Sequence, residues 1–146
     1  GFRARLSGWK TISVPTAIVY HYYSGTTGRY TPMKAFLVER NHIWVVIKNF
    51  PFSMLVAFPL YTIWRCLLQV YALVSKKGAG ARYVEGFSKT SIITVLFKAY
   101  WGALKGMPAM LRKRHSIQAN RVVSKKEIGK WFREHGIKIS EFVFQE

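Results

Sequence analysis

Residues 50–74, FPFSMLVAFPLYTIWRCLLQVYALV, carry a single charge, Arg65. No other feature restricts the chain as strongly. A bilayer's hydrocarbon core takes about 20 apolar residues of helix, so this run is long enough to enter a membrane. A long helix buried in a protein core is the other reading. Pro59 would kink the helix in either case.

Charge helps to choose between these. The chain has 146 residues, the size of one ordinary domain, and 23 Lys+Arg against 6 Asp+Glu give it a formal charge of +17. Such an excess suits nucleic acid, an anionic membrane surface or a phosphorylated substrate. Here the cations flank long apolar stretches instead of being set among polar residues. That pattern favours the membrane surface and argues against nucleic acid. Lys76, Lys77 and Arg82, in a basic loop over residues 75–86, suit its cytoplasmic side. The one cysteine, Cys66, has no partner for an internal disulfide and reads as a small buried hydrophobe. No zinc-ligand spacing occurs. Gly1 opens in the middle of an element with no secretory signal before it, so the chain is expected to be the C-terminal piece of something longer.

Local signals place the elements. Phe2 and Leu6 share a face of a short helix end that Gly8 would cap. TISVP and TAIVYHYY are rich in β-branched residues and predict strand, broken at Pro15. A Ser/Gly/Thr loop follows over residues 24–28. Thr31-Pro32 opens a helix as N-cap and first-turn proline, and Pro51 should end it near Phe50. On that helix Phe36, Arg40, Ile43 and Ile47 share one face, with Met33 and Trp44 alongside. Residues 88–111 predict one further helix, with Ile92, Val95, Leu96, Ala99, Ala103 and Met110 on one side. Thr94, Lys98 and Lys105 lie opposite, with Trp101 near the edge, the pattern of a helix lying in a membrane interface. RKRH, residues 112–115, closes it, either as a solvated cluster or as a headgroup-binding run. Ser124 and Glu127 form a capping box for a last helix ending at Gly136, and ISEFVF suggests a short final strand.

Few residues invite chemistry. His21, at the end of the predicted strand, is either a structural histidine or a ligand for a divalent metal or a phosphate oxygen. Ser24, Thr26 and Arg29 bring hydroxyls, backbone N–H groups and a guanidinium into one loop, a composition that suits a diphosphate and equally an ordinary loop. Arg40 is a cation where a core residue belongs, so it needs an anion. Glu39, next in sequence, is turned about 100° away on the helix, which leaves an anionic ligand or a more distant carboxylate. No Ser/His/Asp or Cys/His arrangement is visible.

The run GFRARLSGWKTISVPTAIVYHYYSGTTGRYTPMKAFLVERNHIWVVIKNFP resembles the end of the catalytic domain of bacterial family-2 inverting glycosyltransferases of the rhamnosyltransferase-like kind. In that group a Glu-Asp pair precedes a helix of pattern Asp-x-Gly-x-Arg-x-x-x-x-Gly, of which Gly1, Arg3 and Gly8 would be the remaining part. A strand ending Val-x-His follows, here Val19-Tyr20-His21, then a Ser/Gly/Thr loop and a Glu-Arg-Asn helix, here Glu39-Arg40-Asn41.

The resemblance implies an α/β architecture: a C-terminal fragment of a GT-A nucleotide-sugar-binding fold over residues 1–51, a membrane-associated helical region over 52–114 and a basic tail over 115–146. It implies transfer of a sugar, with rhamnose the candidate that the subgroup suggests, from a nucleotide-diphospho-sugar to a lipid-linked or glycan acceptor at the cytoplasmic face of the bacterial inner membrane. His21 would help hold Mg²⁺ or Mn²⁺ or the diphosphate; the loop of Ser24, Thr26 and Arg29 would close over the donor, and Arg40 would face phosphates or acceptor. The family's metal-binding Asp-x-Asp and its catalytic base are missing here, so this piece is expected to be inactive alone. Membrane contact falls to Arg65, Lys98, Trp101, Lys105 and the run Arg112, Lys113 and Arg114. A non-enzymatic basic membrane-binding module is the alternative.

Overall fold

The computed structural model describes residues 1–21, 31–75, 89–136, 138 and 141. Among the described residues six helices stand out: α1 (Phe2–Leu6), α2 (Pro32–Asn49), α3 (Phe52–Val74), α4 (Lys89–Lys105), α5 (Met107–Ala119) and α6 (Lys125–His135).

The long central helix α2 starts and stops where local chemistry dictates. Thr31 is extended and its Oγ1 accepts from the Lys34 N–H at 3.3 Å, while Pro32 takes the first-turn position where no N–H is needed. Phe50, forced out of the helical region by the following proline, ends the helix with ψ of 148°. Pro51 is itself buried in the tight passage to α3.

Two helices pack along α2. On α4 the small residues Ala99, Gly102, Ala103 and Gly106 recur every three or four positions, which lets α2 approach closely. Ala99 and Ala103 are fully buried. The Phe36 ring and the Arg40 stem lie 3.5 Å from where a Gly102 side chain would begin, and the Trp44 indole fills the space beside Gly106. Trp44 Nε1–H also donates to the Ala103 carbonyl at 3.1 Å. This contact coincides with the break between α4 and α5, so the predicted single helix over 88–111 is two helices. The RKRH run lies inside α5, not at a helix end.

Helix α5 covers the C-terminal end of α2. The four last carbonyls of a helix lack intrahelical donors, and here side chains supply them. Arg114 Nη1 donates to Ile47 O at 2.6 Å and Phe50 O at 2.8 Å. Gln118 Nε2 donates to Lys48 O at 3.2 Å and Asn49 O at 3.1 Å.

Helix α1 closes on the segment that runs from Val122 through α6. Leu6 is buried, and its carbonyl accepts from the Val122 and Val123 N–H groups. Phe2 meets Phe50, Trp131 and Phe132 with ring centroids 5.6, 6.3 and 6.0 Å away. Ile128 of α6 is fully buried. Gly8, at φ of +85°, ends α1 in the left-handed conformation that disfavours a side chain.

The expected α/β architecture is not found: among the described residues there is no strand and no sheet. Residues 11–21, predicted as strand, are irregular apart from a turn at Pro15-Thr16, where the Ala17 N–H donates to Val14 O. Their side chains are exposed. β-Branched residues favour a pleated surface only when a neighbouring strand takes up their backbone groups, and no such neighbour is present among the described residues. Of the predicted strand at ISEFVF only Glu141 is described.

Candidate functional site

Helix α3 carries the apolar run and leaves much of it uncovered. Phe52, Val56, Leu60, Ile63, Leu67 and Val70 are all exposed. At 3.6 residues per turn they fall within about 80° of one another, so they form one stripe along the helix. Trp64 and Tyr71 flank it, also exposed. Helix α4 has a second row, Ile93, Phe97, Trp101 and Leu104, with the same spacing and exposure. Lys98 and Lys105 stand exposed on the same helix, and Lys105 Nζ lies 5.6 Å from the centroid of the Trp101 ring. The expected contacts Lys98, Trp101 and Lys105 therefore all lie on the outer surface. No helix among the described residues is long and apolar enough to cross a membrane. The buried-core reading of residues 50–74 fails equally, because the apolar stripe faces outward.

Arg65 is not part of that outer surface. It is 5% exposed and turns inward to α2. There it pairs with Glu39 through two bonds, Nη1 to Oε1 at 2.9 Å and Nη2 to Oε2 at 2.6 Å. The expected membrane contact at Arg65 is thus corrected: its charge is spent on a carboxylate. The hydrogen bonds that Arg65 donates to Glu39 hold the guanidinium pKa above its usual value, against the opposing effect of burial. Beside this pair, the His42 ring lies tilted against Phe58 at 5.5 Å and Tyr61 at 6.4 Å. Burial, then the Arg65 charge, lowers the His42 pKa, with Glu39 opposing. Burial also raises the Tyr100 hydroxyl on α4, with Cys66 of α3 contributing next. Cys66 is free and half-buried.

Arg40 finds another solution. Its guanidinium lies 4.4 Å from the centroid of Trp44 and 5.0 Å from that of Phe36, and it donates to its neighbour Asn41 Oδ1 from Nε and Nη2. Aromatic faces and an amide take the place of the anion its position suggests. His21 is exposed in an irregular segment. Ser24, Thr26 and Arg29 lie outside the described residues. No group of His, Cys, Asp or Glu that would hold a metal occurs among the described residues.

The basic run on α5 divides by helix geometry. Arg112 and Lys113 project outward, exposed, while Arg114 turns in to cap α2. Lys48 has its pKa lowered by partial burial and then by Lys113 and Arg3, which marks this end of the fold as crowded with cations. Arg114 and its neighbour His115 line an open cavity of about 500 Å³ beside Arg121 and Lys125, with Phe52 and Leu111 as its apolar wall. Neither Arg121 nor Lys125 stood out in sequence. Arg121 lies in the connection after α5 and Lys125 in the first turn of α6, where no periodicity marks a shared face, and only the packing against α5 makes a cluster of them.

Compared with known protein families, with curated proteins and with solved structures, the chain matches none.

Proposed function

We propose that this chain docks on the surface of an anionic membrane, and that it does so as part of a glycosyltransferase acting at the cytoplasmic face of the bacterial inner membrane. The docking half rests on one observation: two exposed apolar helical stripes, on α3 and α4, in a chain of formal charge +17. Exposed apolar stripes of this length are costly in water, and they suit the boundary between headgroups and acyl chains. Lys98, Lys105, Arg112 and Lys113 are exposed and available to anionic headgroups. Aromatic residues such as Trp64, Tyr71 and Trp101 match the preference of amphipathic rings for that depth.

The catalytic half rests on the sequence resemblance at Val19-Tyr20-His21 and Glu39-Arg40-Asn41. On this reading the donor is a nucleotide-diphospho-sugar bound with Mg²⁺ or Mn²⁺, the acceptor is a lipid-linked or cell-surface glycan, and docking brings the enzyme to an acceptor held in the membrane. Residues outside this chain complete the metal site. Glu39 and Arg40 support the helix packing itself.

Co-flotation with lipid vesicles tests the docking half. The chain should float with vesicles containing phosphatidylglycerol and less with phosphatidylcholine alone. Calorimetric titration of nucleotide-diphospho-sugars with Mg²⁺ or Mn²⁺ into the protein, and into its Arg40→Ala variant, tests the catalytic half. Unchanged donor affinity and transfer rate in the variant would remove Arg40 from the site.

A further inference from the structure

We infer that the cavity between α5 and the start of α6 is a discrete phosphate-binding site, formed by Arg121, Lys125, His115 and Arg114, for the phosphate group of an anionic lipid. The inference rests on the docking reading above and names the ligand chemistry that the basic end of the fold would take.

Three observations carry it. First, Arg121 Nε and Nη1 are buried and make no hydrogen bond among the described residues. Arg121 as a whole is half-buried, but buried N–H groups without acceptors are costly, and guanidinium N–H groups match phosphate oxygens in pairs. Second, the cavity, about 500 Å³ and open to one side, is lined by four cationic or titratable side chains and by no carboxylate. The described ion pairs of the fold use Glu39 and Glu134, at other places. Arg114 and Arg121 are close enough that the second lowers the pKa of the first, after the larger effect of burial. Two guanidiniums held together without an anion form a positive pocket, unlike a solvated charge run. Third, the cavity also has an apolar lining: Phe52 and Leu111 line it with the cations and are themselves largely exposed. Phe52 begins the exposed stripe of α3. A ligand seated here would meet cations at its head and the docking stripe beside it, the arrangement of a phospholipid.

A free phosphate offers the same headgroup without the acyl chains, and the test separates the two. Vesicles of phosphatidylcholine alone, with phosphatidylglycerol and with phosphatidic acid would be titrated with the chain, and inorganic phosphate and pyrophosphate would be followed by ³¹P NMR. The variants are Arg121→Gln, Lys125→Gln and their combination. The control is Lys10→Gln with Lys138→Gln, which removes the same charge from exposed positions on neither the cavity nor the apolar stripes. Far-UV circular dichroism checks the fold, and Lys125→Gln, at an exposed residue, keeps the test valid should Arg121→Gln unfold.

The site predicts stronger binding to phosphatidic acid than to phosphatidylglycerol. It also predicts a loss of about tenfold or more in the Arg121/Lys125 variant, the scale of a lost charge-assisted hydrogen bond, with a much smaller loss in the control. Equal losses in both would overturn the site and leave docking intact as a diffuse charge effect. Phosphate binding in solution, sensitive to Arg121 and without vesicle binding, would keep the site, assign it to a soluble phosphate and overturn docking. Absence of both overturns both. Displacement from vesicles by single-stranded RNA, but not by pyrophosphate, would reassign the cavity to nucleic acid and overturn the lipid assignment.

Discussion

Arg65 of α3 and Glu39 of α2 meet through two parallel hydrogen bonds of 2.9 and 2.6 Å, with their side chains only 6% and 13% exposed. This pair ties the apolar helix to the rest of the fold. It also fixes the rotation of α3, because pointing Arg65 inward turns the stripe from Phe52 to Val70 outward.

Removing either partner should be far worse than removing both. Glu39→Gln or Arg65→Met leaves one buried charge without its counterion and should cost about 3–5 kcal/mol, whereas the Glu39→Leu/Arg65→Met pair should be close to neutral. Urea unfolding of the three variants, combined as a double-mutant cycle, measures the difference. Equal and additive losses would show that the pair does not couple the helices.

Stability should fall as pH drops below neutrality, through His42. Burial and the neighbouring Arg65 charge lower its pKa in the folded state from the usual 6.5. The unfolded chain therefore binds the proton more readily, and stability is lost as pH falls through 6.5 until the folded-state pKa is passed. His42→Phe keeps a ring against Phe58 and Tyr61 and removes the titration. Melting temperatures across pH 7 to about 5 should slope less in this variant than in the parent.

Gly106 should not tolerate alanine. An added Cβ would collide with Cζ2 of Trp44, whose Nε1–H is anchored to the Ala103 carbonyl. Overpacking at such a contact costs about 1–3 kcal/mol. Thermal unfolding of Gly106→Ala should show that loss, and a Trp44→Leu background should relieve it by making room.

The C-terminal end of α2 depends on α5. Gln118→Ala removes two hydrogen bonds to the Lys48 and Asn49 carbonyls and should cost about 1 kcal/mol, while Arg114→Met, removing a charged donor from Ile47 and Phe50, should cost about 1.5–3 kcal/mol. Hydrogen exchange localised to the last turn of α2 is the measurement that separates this from general destabilisation.

Helix boundaries set by local chemistry were legible in the sequence. Thr31-Pro32 and Pro51 bracket α2, Ser124 Oγ accepts from the Glu127 N–H to open α6, and Gly136 closes it. The capping box is only half made, since Glu127 Oε1 accepts instead from Trp131 Nε1. The inner face of α4 was also legible, because Ala99 and Ala103 recur at helical spacing and are buried.

What escaped was decided across helices. Arg40 looked like the buried cation in search of an anion, yet its neighbour Glu39 serves Arg65, 26 residues away, and Arg40 rests on aromatic rings. Val46 and Asn49 are the buried residues of α2, off the face that Phe36, Arg40 and Ile47 suggested, because α5 as well as α4 packs on this helix. The α/β expectation failed at residues 11–21 because strand propensity specifies half of a ladder, and the other half is absent among the described residues. The two guanidiniums at Arg114 and Arg121 become neighbours only when α5 and its following turn fold together.

The most direct test of the docking account is vesicle flotation of the parent chain beside Leu60→Glu/Leu67→Glu. Both positions are exposed on the α3 stripe, so the double variant should keep its helix content. The parent chain should float with phosphatidylglycerol vesicles, keep part of that binding in high salt and show a blue-shifted tryptophan emission, and the variant should remain unbound. A parent that stays in the dense fraction, or a variant that floats equally well, would contradict the assignment of α3 to the membrane surface.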